Sequence, residues 1–248
     1  MTHLARRLLA EFVGTAMLVA VVIGSGIAAQ QLSPNDTGLQ LLENSTATVF
    51  GLAILILALG PVSGAHFNPA VSLVDWLAHR RDHSGLTVGQ LIAYIVAQIA
   101  GAGGGAVLAN IMYGLAPVQI STHNRATIGH LLGEVIATAG LIVVIFALAR
   151  TRRASLSAAA VGAYIGSAYW FTSSTSFANP AVTIGRIYSD TFAGIAPSSA
   201  PGFIAAQVLG ALLGLALIGL LYPRLADDEE VIVSHGDSGG PRSPMRES

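Results

Sequence analysis

The sequence predicts an all-α, multi-pass membrane protein built as an inverted repeat of six transmembrane helices plus two re-entrant half-helices. Three observations lead there. The chain has 248 residues, of which 53% are hydrophobic and 10% charged, and its mean hydropathy is +0.66. Soluble domains carry about a quarter charged residues, so this chain cannot solvate a globular surface of its size. Apolar stretches long enough to cross a bilayer recur along the chain. A set of short motifs also occurs twice in the same order.

The spans read at roughly 6–29, 40–62, 86–111, 129–150, 156–175 and 200–222, each near the ~20 residues a bilayer requires. Arg6 and Arg7 before the first apolar run give it the look of a signal peptide. That run is long enough to span, however, carries Glu11, which has a counterpart later in the chain, and is followed by further spans. Two shorter apolar segments, after Asn68 and after Asn179, have about ten helix-compatible residues each, too few to cross. The tail, 223–248, is rich in Asp, Glu, Ser, Gly and Pro and reads as disordered and cytoplasmic, with a short docking helix around Val231 as the alternative.

Orientation follows from arginine, because the chain has no lysine. Arg6, Arg7, Arg80, Arg81, Arg150, Arg152, Arg153 and Arg224 fall on one side of this topology, Arg125 and Arg186 on the other. The arginine-rich side should be cytoplasmic, which puts both termini inside.

The repeats fix the symmetry. Glu11-Phe12-Val13-Gly14-Thr15 matches Glu134-Val135-Ile136-Ala137-Thr138, and Asn68-Pro69-Ala70-Val71 matches Asn179-Pro180-Ala181-Val182. Ala97-Gln98 with Gly101, Ala102 and Gly105 matches Ala206-Gln207 with Gly210, Ala211 and Gly214. Each half holds three full spans, and an odd number inverts the second half relative to the first. One domain is expected over 1–222, with inverted halves at about 1–112 and 129–222, neither able to bury its interior alone.

Non-helical backbone at membrane depth is tolerated only where protein buries it or a wet cavity faces it. Gly64–Phe67 and Thr172–Ser176 are such stretches, and each leads into Asn-Pro-Ala. Proline suits the first helical turn and asparagine is a favoured N-cap. Each motif therefore starts a half-helix inside the membrane, and the symmetry brings the two positive ends together near the midplane. The amides of Asn68 and Asn179 and the free loop carbonyls would line a narrow polar path. Neutral hydrogen-bonding solutes fit such a path, and cations and protons are repelled from it.

On the two Asn-Pro-Ala motifs, the run Ser63-Gly64-Ala65-His66-Phe67-Asn68 and the paired Glu-x-x-x-Thr signatures, residues 6–222 resemble the major intrinsic protein family of aquaporins and aquaglyceroporins. The resemblance implies an hourglass fold, a pore within each monomer and a homotetramer. It also implies a structural role for Glu11 and Glu134, whose carboxylates would hold the re-entrant loops, and for His66, which would orient loop backbone. A proton relay through the glutamates and pH gating by His66 are the alternatives. Gly101/Gly105 and Gly210/Gly214 read as close helix contacts, and Gln98 and Gln207 as bonds between helices.

The family's filter arginine directly follows the second motif; here that position is Val182. Counting from the motifs, the other filter positions are Thr48 on the second span and Ser167, or Gly166, on the fifth. Thr, Ser and Val predict a wide, weakly polar opening. Arg186 lies one turn beyond Val182 and could reach the mouth; a lipid-interface or subunit contact is the expected role. Val182 with Thr48 and the run Asn179–Arg186 is similar to a bacterial subgroup associated with arsenic resistance. The Thr/Ser/Val opening favours solutes larger than water, namely glycerol, other polyols, urea and uncharged metalloid hydroxides such as arsenous acid, with water also passing; the likeness ranks metalloids above glycerol, and the channel is expected in the inner membrane.

A water-selective channel is the closest alternative, with Phe177 or Arg186 closing the filter. A secondary active transporter is the rival of another class, since it too uses broken helices at the midplane. No catalytic set, nucleotide loop or basic nucleic-acid patch is visible, and no cofactor is expected. The absence of cysteine excludes disulfides and thiolate sites, and the histidines have no metal-ligand spacing.

Overall fold

A computed structural model describes residues 1–80 and 85–222. Arg81 and the whole 223–248 tail, with its disorder and docking-helix readings, lie outside the described residues. Among the described residues eight α-helices follow one another: α1 (His3–Leu32), α2 (Thr37–Ser63), α3 (Pro69–His79), α4 (Val88–Met112), α5 (Ile128–Arg150), α6 (Ser157–Phe171), α7 (Pro180–Gly185) and α8 (Ala200–Leu221). Short 3₁₀ turns at Ala154–Leu156 and Arg186–Tyr188 precede α6 and extend α7.

Five helices, α1, α2, α4, α5 and α8, are long and apolar enough to cross a membrane. The sixth, α6, has 15 residues, about 22 Å of helix against a hydrocarbon core of about 30 Å. It ends at Phe171, earlier than the span 156–175 read from the sequence. The Thr172 hydroxyl turns back to the Ala168 carbonyl (2.7 Å), and the chain continues as a re-entrant loop.

The two halves are put together alike. In the first, α1 packs on α4; in the second, α5 packs on α8. Glycines set both distances. A Cβ on Gly101 or Gly105 would stand 2.3 or 2.1 Å from the carbonyl oxygens of Phe12 and Ala16. On Gly210 or Gly214 it would stand 2.4 or 2.7 Å from those of Val135 and Ala139. Backbone meets backbone, so no side chain fits. Leu18, Val19, Val22 and Ile23 from α1 meet Leu141, Ile142 and Ile145 from α5 in one apolar core. Phe50, Ile54, Leu57, Ile92, Val96, Leu132, Ile136, Leu213 and Leu217 point outward. An apolar outside and a core threaded with polar groups is the pattern of a helix bundle solvated by lipid.

Candidate functional site

The half-helices α3 and α7 begin where the sequence places them. Asn68 and Asn179 are extended N-caps with φ of −154° and −157°, and Pro69 and Pro180 occupy the first turns. Each amide oxygen caps its own helix: Asn68 Oδ1 accepts from the Ala70 N–H, and Asn179 Oδ1 from those of Ala181 and Val182. Each amide nitrogen crosses to the opposite loop: Asn68 Nδ2 donates to the Ala178 carbonyl and Asn179 Nδ2 to the Phe67 carbonyl, both at 2.8 Å. A primary amide has two N–H donors. One on each asparagine locks the two half-helices tip to tip, and the second is left for the lumen.

The loops before the asparagines share an uncommon backbone. Ala65 and Phe67 have φ of 50° and 47°, and Ser176 and Ala178, at the equivalent positions of the second repeat, have 48° and 47°. Left-handed backbone at non-glycine residues is strained and persists only when its surroundings hold it. The buried glutamates do the holding. Glu11 Oε1 accepts from the Ser63 hydroxyl (2.6 Å) and the His66 N–H (3.0 Å), and Oε2 from the Phe67 N–H (2.7 Å) and Gln98 Nε2 (2.7 Å). Glu134 accepts from the N–H groups of Phe177 (2.9 Å) and Ala178 (2.8 Å) and from Gln207 Nε2 (2.6 Å). Gln98 and Gln207 also bond Ser72 and Thr183, one turn beyond each Asn. Each carboxylate thus ties a loop, a half-helix and a spanning helix together. The carbonyls of Phe67 and Ala178 take the asparagine amides, while those of Ala65, His66, Ser176 and Phe177 accept no hydrogen bond among the described residues. Both glutamates are fully enclosed, and neither is among the residues that line the central cavity.

His66 lies in the same arrangement. Its Nδ1 is 3.0 Å from Ser72 Oγ, and its ring meets that of Tyr94 edge to face at 5.4 Å. Tyr94 donates to the Ser63 carbonyl and accepts from Arg7 Nε. The motif glycine Gly14 makes room for the first loop, since a Cβ there would sit 2.0 Å from the Phe67 ring. The second repeat carries the small pair Ala137 and Ala178 at these positions.

A cavity of about 60 Å³ runs past both asparagines, room for a short file of about four waters. Its lining includes the apolar side chains Val22, Leu52, Ile56, Val71, Leu141, Ile145, Val161 and Ile165. It also includes both re-entrant loops, Ala65–Asn68 and Ser176–Asn179, with their polar backbone and asparagine amides. Thr48, Tyr169, Phe177, Val182 and Arg186 also line the cavity, Thr48 beside Tyr169 and Arg186 over the Phe177 ring.

Thr48 and Val182 therefore stand on the cavity, and Thr48 Oγ1 lies 3.2 Å from the Tyr169 hydroxyl. Ser167 does not. It is exposed on the outer face of α6, where its hydroxyl donates to the Tyr164 carbonyl. Gly166 faces α2, with Val49 2.3 Å from its would-be Cβ. The inward face of α6 is Val161, Ile165 and Tyr169, spaced four apart as one helical face must be. That stripe was readable in the sequence; counting from the motif landed two residues short of Tyr169.

Arg186 is the second correction. It does not face lipid: it is 2% exposed and lines the cavity. Its Nε donates to the Ala193 carbonyl, and its guanidinium lies 3.4 Å from the centre of the Phe177 ring. Arg125 stands 5.5 Å from the same ring and donates to the carbonyls of Phe192 and Gly194. Among the described residues no group of three or more His, Asp or Glu side chains is placed to hold a metal.

The family model described as "Major intrinsic protein" matches residues 1–176. Aquaglyceroporin AqpS of Rhizobium meliloti is 48% identical over 221 residues, 89% of this chain and 92% of that protein. Aquaporin AqpM of Methanothermobacter marburgensis is 30% identical, covering 92% of this chain and all of that protein. Among solved structures, the aquaglyceroporin from Plasmodium falciparum superposes with a TM-score of 0.63 at 19% identity, over 88% of this chain and 96% of that one, a likeness of fold.

Proposed function

The chain belongs to the major intrinsic protein family, and we propose that it is a passive channel for neutral solutes up to the size of a small polyol. The observation that carries this is the cavity past the paired asparagines, whose lining combines apolar side chains with the two polar re-entrant loops. A polyol combines the same two characters. Its hydroxyls can follow the loop carbonyls and the two free amide N–H groups while its C–H face slides along Val22, Leu52 and Ile165. Uncharged metalloid hydroxides such as arsenous acid present a similar array of hydroxyls and belong to the same solute class. The relative named an aquaglyceroporin is in keeping with that class.

Several further assignments complete the reading. Thr48, Tyr169 and Val182 form the size filter at the Arg186 end, which faces outward in the inner membrane, with both termini in the cytoplasm. The channel unit spans 1–222, its halves at about 1–112 and 129–222 sharing one interior, and four copies assemble, each with its own pore. Glu11, Glu134 and His66 keep the loops in place, and Asn68, Pro69, Ala70, Asn179, Pro180 and Ala181 form the central constriction. The channel uses no cofactor and catalyses no reaction.

The test is uptake of arsenous acid, glycerol and water into proteoliposomes, each compared with empty vesicles. Entry of the two larger solutes well above background supports the reading. Fast water with neither larger solute entering would establish a water-selective pore in its place.

A further inference from the structure

We propose that the fixed positive charge at the mouth of this channel is Arg186, supplied one helical turn beyond the apolar Val182, and that it makes the pore reject small cations. The inference rests on the channel reading and adds the residue that sets charge selectivity.

Four residues along a helix return to the same face. Val182 is in α7, and Arg186 begins the 3₁₀ turn that extends it. Both side chains line the cavity. A long side chain from the next turn can therefore bring its charge toward the place that a shorter one at 182 leaves empty. The Phe177 face holds the guanidinium from one side, with 3.4 Å between guanidinium carbon and ring centre, and the Ala193 carbonyl holds Nε. Arg186 is 2% exposed, and among the described residues no hydrogen bond occupies Nη1 or Nη2. No carboxylate stands within ion-pair distance of it among the described residues, where the ion pairs are His79–Asp75 and His123–Asp190. Arg125, behind the same ring, adds charge of the same sign.

A buried, always-charged guanidinium with no direct ion pair, with donors to spare and on the cavity lining, is suited to two tasks. It donates hydrogen bonds to solute oxygens, and it raises the potential that a cation must cross. At an approach of about 7 Å and an effective dielectric of about 20, one such charge lowers cation occupancy about fiftyfold.

The test uses full-length protein in proteoliposomes and compares methylammonium flux with glycerol flux for the natural chain, Arg186→Leu, Arg186→Gln and the double variant Val182→Arg/Arg186→Leu. The natural chain should pass glycerol with methylammonium near the empty-vesicle level. Arg186→Leu and Arg186→Gln should raise the methylammonium-to-glycerol ratio at least tenfold, and the double variant should bring it back down. If Arg186→Leu fails to fold, Arg186→Gln decides, since it retains a polar stem and donors and loses the charge. A glycerol-conducting Arg186 variant with the natural ratio overturns the proposal and leaves Arg186 as a brace for the Ala193 loop. A natural chain that passes no glycerol sinks the channel reading instead, so the two failures are distinguishable.

Discussion

Replacing Glu11 by alanine should destabilise the protein and disable conduction together. Glu11 is fully buried and accepts from four donors: the Ser63 hydroxyl, the His66 and Phe67 N–H groups, and Gln98 Nε2. Gln98 has a second acceptor in Ser72, and the Ser63 hydroxyl can rotate. The two main-chain N–H groups have no such freedom. A buried donor left without a partner costs about 1–3 kcal/mol, so two cost about 2–6 kcal/mol, a large share of the ~5–15 kcal/mol that holds a domain folded. Removing a buried carboxylate also removes its desolvation cost, which offsets part of this loss. We expect a net loss of about 2–4 kcal/mol. Glu11→Gln should be milder, because one carbonyl oxygen still accepts while the new NH₂ confronts an N–H. The assay is thermal unfolding of purified protein in detergent beside glycerol flux per folded channel. The melting temperature should fall in the order natural chain, Gln, Ala, and flux should fall with it. An Ala variant with the natural melting temperature and natural flux would refute the claim that Glu11 holds the first loop.

The helix contacts and the filter can be tested in the same preparations. Gly105→Ala puts a Cβ 2.1 Å from the Ala16 carbonyl oxygen; it should cost about 1–3 kcal/mol by overpacking and lower the melting temperature. Gly103→Ala, with nothing within 4 Å, should leave that temperature unchanged or raise it. Tyr169→Ala should raise the flux of a four-carbon polyol relative to water about tenfold, the scale of one misfitting group in a pocket. Ser167→Ala should leave that ratio unchanged; a shift with Ser167 and none with Tyr169 would reverse the assignment of the filter.

Much of this architecture could be read from the sequence because it is written in short motifs with definite physical demands. An Asn-Pro pair at membrane depth has to start a helix, and its recurrence in an inverted half places the partner. A glutamate inside each first span needs donors, and the neighbouring loops are the ones that must give up N–H groups. The glycines of α4 and α8 state their spacing directly. The parts that were not legible depend on distant contacts. The inward turn of Arg186 is decided by the Phe177 ring and the Ala193 carbonyl, which lie in irregular loops that no periodicity describes. The length of α6 is decided by where the second loop must begin to reach Glu134. Tyr169 was legible in the four-residue repeat of Val161 and Ile165, but a count anchored on the motif could not register a helix that ends four residues early. With Tyr169 and Arg186 on the cavity, its lining is bulkier and more positive than Thr, Ser and Val suggested.

The central claim is that solutes diffuse through a fixed polar path between two half-helices. Glycerol influx into proteoliposomes, measured over a wide range of outside concentrations with and without imposed proton and sodium gradients, tests it most directly. The account predicts flux that rises in proportion to the glycerol gradient and is indifferent to either ion gradient. Saturation at low concentration, or accumulation driven by an ion gradient, would contradict it and identify an alternating-access transporter.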